Sequence, residues 1–170
     1  LKMIGVGDFF PEFKCNGVND KNEMIEVNDL NEGWTIYYFY PKDFTFICPT
    51  EILEMDRLVD EGVNVIGFSG DNEFCKLAWK KDNDLIRNIR HTLAADSGLE
   101  LSGELGVVDQ HEQVCLRATY IVDPENTIQS ITVNALDTGR NVDETIRTLK
   151  ALKAGGLTGC GWTEGEEFVA

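Results

Sequence analysis

"FYPKDFTFICPTEI", residues 39–52, sets a lone thiol where a strand gives way to a helix. The apolar, aromatic run 35–40, "TIYYFY", is too short for a helix and reads as a buried strand. Pro41 ends it, and Cys48 follows seven residues later, directly before Pro49. Proline is favoured in the first helical turn, where its missing N–H has no partner to lose. Pro49 therefore places Cys48 at or beside a helix start, where free N–H groups and the helix dipole stabilise a thiolate. Ionising an ordinary thiol gains roughly 30-fold in nucleophile at neutral pH, about 2 kcal/mol. A fast reaction needs transition-state stabilisation beyond that. Taken alone, Cys48 reads more readily as an inert buried thiol than as a nucleophile.

Outward from this junction the pattern stays regular. Ile52, Met55, Leu58 and Val59 give residues 49–61 a helical stripe. "VNVIGFS", 63–69, is a second buried strand, and 72–88 a second helix with Phe74, Leu77 and Ala78 on one side. After a loop at 96–106, "QVCLRATYIVD" and "TIQSITV" flank the turn "PEN" as an antiparallel hairpin. Asn141, with Glu144 three residues on, caps a last helix whose stripe is Val142, Ile146 and Leu149. Short strand-like pieces, "FKCNGV" and "MIEV", form an N-terminal hairpin. The order β-α-β-α-β-β-α predicts a thioredoxin-like α/β fold, a mixed sheet with helices on both faces. The expected division is a domain over 1–154 and a Gly-rich acidic tail over 155–170, outside the core.

The totals narrow the partners. A net charge of −15 argues against nucleic acid or an anionic membrane, both of which need a basic patch. No apolar run approaches the roughly 20 residues of a membrane span. The opening residues lack the apolar core of a signal peptide. Five cysteines, an odd count without a C-x-x-C pair or zinc-site spacing, suit a reducing cytoplasm with mostly inert thiols. Cys15 and Cys115 read as small core or turn residues, and Cys75 as packing on Trp79. His91 and His111 have no partner at ligand spacing.

Three residues could assist Cys48. The Thr45 hydroxyl can donate to a substrate oxygen and accept from another group. Pro41 can shield the thiol from water without offering a donor. Arg117 sits in the apolar run "CLRATYIV", where a solvated charge is hard to place, although a strand-edge arginine reaching solvent stays open.

The segment from Pro41 to Glu51 resembles the P-x-x-x-T-x-x-C motif of peroxiredoxins, especially the typical two-cysteine, alkyl hydroperoxide reductase type. "GDFFPEF", "GFSGDNEFCKLAW", "RATYIVDPENTIQ" and "GRNVDETIRTLKAL" are similar to further segments of that family, in its order. The resemblance implies a thiol-dependent peroxidase for hydrogen peroxide, organic hydroperoxides and often peroxynitrite, without metal, flavin or haem. By its motif Cys48 would attack the O–O bond and become a sulfenic acid. Thr45, Arg117 and the Cys48 N–H would hold the peroxide in line. Pro41 would exclude water, and Glu51 and Arg140 would fix Arg117. It further implies a homodimer, with a ring of five dimers, reduced by thioredoxin or a dedicated disulfide reductase.

A resolving thiol in such proteins lies near the C-terminus of the partner subunit, in a V-C-P-x-x-W-like context. Here the position four before Trp162 is Thr158, and the thiol is Cys160, two before it. Cys160 is the expected resolving cysteine; a spare tail thiol, with resolution by an external thiol, is the alternative. A redox-regulated holdase is a second functional class that the resemblance allows. The over-oxidation-sensitive members carry GGLG and a terminal YF helix. This chain has "SGLELSGELG" and ends in "EEFVA", which implies resistance to sulfinic acid formation.

Overall fold

The computed structural model describes residues 3–170, which divide into two compact units, one up to Arg140 and one from Asn141 to Ala170. In the first unit the strands are β1 (Lys14–Val18), β2 (Met24–Asn28), β3 (Thr35–Phe39), β4 (Asn64–Ser69), β5 (Thr92–Ala95), β6 (Val108–Asp109), β7 (Val114–Cys115), β8 (Arg117–Val122) and β9 (Ile128–Asn134). Its helices are α1 (Cys48–Met55), continued by a 3₁₀ turn over Asp56–Glu61, then α2 (Glu73–Asp82) and α3 (Glu100–Leu105). Seven strands form one mixed sheet in the order β2-β1-β5-β4-β3-β8-β9, while β6 and β7 pair separately. β3 lies parallel to β4 and antiparallel to β8, and β4 lies parallel to β5. Parallel neighbours need a crossover, and α1 and α2 supply the two. Among the described residues no helix is long and apolar enough to cross a membrane.

Every residue of β3 is buried, so both its faces are covered, and side chains alternate between them. Tyr37 and Phe39 point into an aromatic core with Phe10, Phe68 and Tyr120; Phe10 stacks on Tyr37 at 4.1 Å and Phe39 on Phe68 at 4.9 Å. The register carries that side across the sheet to Ile66, Ala94, Ala118 and Val122. Tyr38 and Tyr40 point the other way, on the side of Ser69, His91, Arg117 and Thr119. Gly67, beside Tyr38 on β4, has no side chain for a steric reason: a Cβ there would fall on the Tyr38 phenol ring.

Several expectations change. The helix expected over 49–61 loosens to 3₁₀ at Asp56. The helix expected over 72–88 stops at Asp82, the stretch expected as a loop over 96–106 holds α3, and β5 stands between them where no element is expected. The buried side of α2 is Lys76, Trp79 and Lys80, not Phe74, Leu77 and Ala78. Phe74 is 65% exposed. The inversion goes with Lys76, whose partners Ser69, Asp43 and Tyr40 all lie outside the helix.

The second unit is α4 (Val142–Ala154) and the segment after it. Asn141 caps α4 by accepting from the Glu144 N–H, as its spacing predicts, and Gly155 ends the helix at φ 75°. The Gly-rich segment is folded rather than loose. The Trp162 indole N–H donates to the Glu166 carbonyl, its ring stacks on Phe168, and Arg147 of α4 donates to the Trp162 carbonyl at 2.8 Å. The Val169 N–H closes the loop on the Leu157 carbonyl.

Candidate active site

Ile47 flanks the start of α1, so Cys48 is the first helical residue and Pro49 the second. The Cys48 side chain is fully buried. Arg117, the first residue of β8, donates from Nη1 to Cys48 Sγ at 3.3 Å and to Glu51 Oε1 at 2.6 Å. Its Nε donates to the Leu136 carbonyl at 2.6 Å. Among the described residues none accepts from Nη2, so two N–H groups of the fork remain for a ligand.

Arg140 is used differently. Its backbone N–H and Nε both donate to Glu51 Oε2, at 2.9 and 2.8 Å. Nη1 reaches the Ala118 carbonyl and the Thr119 hydroxyl, and Nη2 the Phe39 carbonyl and Glu51 Oε1. All five guanidinium protons are thereby spent, and the ring of Tyr38 lies against the same group at 5.1 Å. Glu51 is thus clamped between two arginines. Burial alone would raise its pKa, but Arg140 and then Arg117 hold it below the usual carboxylate range. Burial works to lower the Arg117 pKa, yet Cys48 and Glu51 drive it up, so the guanidinium stays charged. One carboxylate against two guanidiniums leaves one net positive charge beside the sulfur.

The loop between β3 and α1 is tied down separately. Tyr40 donates to Asp43 at 2.6 Å, and the Asp43 N–H donates to Asp71 at 2.7 Å. Fully buried Lys76 reaches Ser69 at 2.6 Å, and Asp43 and Tyr40 at 3.3 Å. Burial pushes the Asp43 pKa up, with Lys76 opposing it. Phe44 adopts φ 57° and packs near Trp79. Thr45 follows, donating from its hydroxyl to the Lys42 carbonyl at 2.9 Å. In this arrangement its proton is engaged with the Lys42 carbonyl, which leaves the oxygen's lone pairs to accept.

The structure brings Cys48, Glu51, Arg117 and Arg140 into direct contact and places Pro41 and Thr45 in the loop before α1. Cys160 belongs to the second unit. It is exposed at a turn closed by the Trp162 N–H on the Gly159 carbonyl, with Gly161 at φ 71°. The other thiols are pushed up by burial, Cys15 and Cys115 to about 12 and Cys75 to about 11, and remain protonated at neutral pH. Cys75 sits with Asp43 and Asp71, all three ligand atoms within 4.8 Å of one another. Lys76 already supplies the cation at Asp43.

Residue pattern did not reveal Lys76 or His91. His91 is buried and joins Asp56 at 2.7 Å to Tyr38 at 2.6 Å. The available signal for Lys76 is its place one residue from Leu77 in a helix with few apolar residues, which is too weak to act on.

The AhpC/TSA family profile matches residues 6–131. Alkyl hydroperoxide reductase C of Mycolicibacterium smegmatis is 34% identical, covering 99% of this chain and 95% of its own. Among solved structures, the reduced 2-Cys peroxiredoxin of Plasmodium vivax superposes with a TM-score of 0.89 at 35% identity, over 95% of this chain and 91% of that one. AhpC of Enterococcus faecalis gives 0.83 at 32% identity, over 88% and 92%.

Proposed function

The chain belongs to the AhpC/TSA family, and on that premise we propose that it reduces hydroperoxides through Cys48 and is resolved by Cys160. It is a thiol-dependent peroxidase with a thioredoxin-like fold. The observation that carries the site assignment is the Arg117 guanidinium 3.3 Å from the buried Cys48 sulfur, clamped by Glu51, which Arg140 holds.

The Cys48 thiolate attacks the terminal oxygen of ROOH. An S–O bond forms, the O–O bond breaks, and the electron pair leaves on the distal oxygen, which takes a proton and departs as ROH. Charge thus moves from sulfur to that oxygen, and the free Nη2 donors of Arg117 and the Cys48 N–H stabilise it without reorganising. Thr45 accepts the O–H of the peroxide and fixes its direction, while Pro41 covers the thiol. The Cys160 thiolate of a second subunit then attacks the sulfenic sulfur. A disulfide forms and the oxygen leaves as water. The exposed turn at Cys160 makes the thiol accessible for this step. A thioredoxin or a dedicated disulfide reductase restores both thiols. The working assembly is a homodimer, five of which form a ring, in the cytoplasm; the resolving tail spans 155–170.

Consumption of hydrogen peroxide with a thiol reductant should vanish in Cys48→Ser, and retained turnover would sink the assignment. One equivalent of peroxide should give a disulfide-linked dimer that disappears in Cys160→Ser. A dimer that persists there assigns resolution to another thiol, and no dimer even in the wild type assigns it to an external one.

A further inference from the structure

Behind the Arg140 clamp runs a buried chain of hydrogen bonds that the peroxidase chemistry does not use. Asp56 Oδ1 meets His91 Nδ1 at 2.7 Å, and His91 Nε2 meets the Tyr38 hydroxyl at 2.6 Å. The Tyr38 ring lies 5.1 Å from the Arg140 guanidinium carbon. Asp56 is itself anchored by the Arg90 N–H at 2.8 Å and the Arg90 Nε at 3.1 Å. The tyrosine and histidine are fully buried or nearly so, and Gly67 clears the space the phenol occupies.

We propose that Tyr38 is a positioning residue for the peroxidase reaction: its ring seats Arg140, and the protonation state of His91 sets the electron density of that ring. The inference rests on the reading above, in which Arg117 holds the peroxide and Glu51 and Arg140 hold Arg117.

The direction of the chain follows from its charges. Burial works against ionisation of Asp56, but His91 and Arg90 hold its carboxyl down at about 2. An ionised Asp56 only accepts, so His91 Nδ1 carries the proton. Burial keeps His91 neutral below the usual imidazole value; Asp56 opposes this, and Lys80 and Arg90 reinforce it. Nε2 of that tautomer is bare and accepts from Tyr38. Tyr38 is likewise held protonated by burial, with Arg140 opposing, and Glu51, Asp56 and Cys48 facing it with burial. A phenol that donates its proton gains electron density on oxygen and ring, and the ring face against Arg140 becomes more negative. Protonating His91 reverses the last bond. Nε2 then donates, the Tyr38 proton loses its partner away from water, and a further cation joins Arg140, Arg117 and Lys76 on this side of the sheet.

The test follows the rate of Cys48 sulfenic acid formation by rapid-quench mass spectrometry from pH 4.5 to 8, beside the ¹⁵N resonances of His91. In the wild type the imidazole should carry its proton on Nδ1 at neutral pH. Its titration, below the usual imidazole value, should coincide with a step in the acid limb of the rate. Tyr38→Phe keeps the ring and should lower the rate at neutral pH by roughly five- to tenfold. His91→Gln can still accept from Tyr38 and donate to Asp56 without titrating; it should keep most of the neutral rate and lose the step. A proton on Nε2, or acid limbs identical in folded wild type, Tyr38→Phe and His91→Gln, would overturn the inference alone. A wild type that forms no sulfenic acid at Cys48 would overturn the proposed function and the inference with it. Should either variant fail to fold, the wild-type tautomer and the coincidence of its titration with the rate step decide.

Discussion

Tyr37 and Phe39 differ from Tyr38 and Tyr40 by one position along the same strand, yet they face opposite sides of the sheet. On the first side the side chains stack among Phe10, Phe68 and Tyr120. What counts there is area removed from water, about 1.5–3 kcal/mol for a large apolar side chain. The Tyr37 hydroxyl there accepts only from a part-buried Asn31 amide, whereas on the second side the hydroxyls join buried titratable groups: His91 for Tyr38, Asp43 for Tyr40. Arginine, lysine and carboxylate are buried beside them. A hydrogen bond contributes only about 1 kcal/mol net, whereas an unmet buried polar group costs about 1–3 kcal/mol. The dry side tolerates loss in proportion to volume. The polar side behaves as a set in which removing one member exposes the cost of another.

If that division is real, mutations on the two sides should move different readouts. The largest effect on rate is expected from Arg117→Ala. Removing a preorganised donor of this kind costs roughly 10²–10³ in rate, about 3–4 kcal/mol of transition-state stabilisation. Glu51 stays paired with Arg140, so the thermal midpoint should move far less than the rate suggests. A loss under tenfold in the second-order rate constant would break the comparison on its polar side. Next comes the dry side: Phe39→Ala should cost about 3–5 kcal/mol in denaturant unfolding, with near-normal peroxide reduction per folded site. A selective rate loss without destabilisation would mean that the aromatic core also positions the chemistry.

Lys76→Met sharpens the set-like behaviour. It strands the buried Asp43 carboxylate, and breaking a buried pair from one side costs roughly 3–5 kcal/mol. Replacing both partners, Lys76→Met with Asp43→Asn, should recover most of that loss in equilibrium unfolding. Additive losses in the double variant would show that the two groups are not one unit.

The difference between the sides also explains what could be read from the chain. The dry core and the Cys48 junction were legible because their signals are local: short continuous apolar runs, a proline after a cysteine, a glutamate three residues on. Arg117 was half legible, since a charge inside an apolar strand asks for a partner without naming it. His91 was not, because its partners Tyr38 and Asp56 lie 53 and 35 residues away. Lys76 fails the same way, 33 residues from Asp43, and its burial turns the expected face of α2 around. β5 is only four residues long and is fixed by β4, across the α2 crossover, and by β1, which is far away in sequence. In the tail, composition said only that the segment lies outside the core; the contacts by which Trp162 gathers it are ones that a glycine count does not register.

The smallest effect is the pH dependence of stability, and its sign is fixed. Asp56 is held at about 2 when folded, against 3.8 for the ordinary carboxyl. A depressed acid contributes stability that is fully present above the unfolded value and is lost as pH falls through the folded one. The amount is at most about 2 kcal/mol: the difference between 3.8 and about 2, at ~1.4 kcal/mol per tenfold, gives about 2.5, and solvent beside Asp56 screens part of it. His91 acts in the same direction. Its folded pKa is also lowered, so the unfolded chain takes up the proton first, and stability begins to fall below about 6.5. Thermal midpoints should therefore decline in two limbs, one starting near pH 6.5 and one between about pH 4 and 2. Asp56→Asn should flatten the lower limb. Phe39→Leu, on the dry side where the strand's one titratable group, Tyr37, is pushed by burial further above its ordinary value, should shift the whole curve down without changing its shape. If Phe39→Leu changes the limbs as much as Asp56→Asn does, the two sides of the sheet are coupled and the separation between them fails.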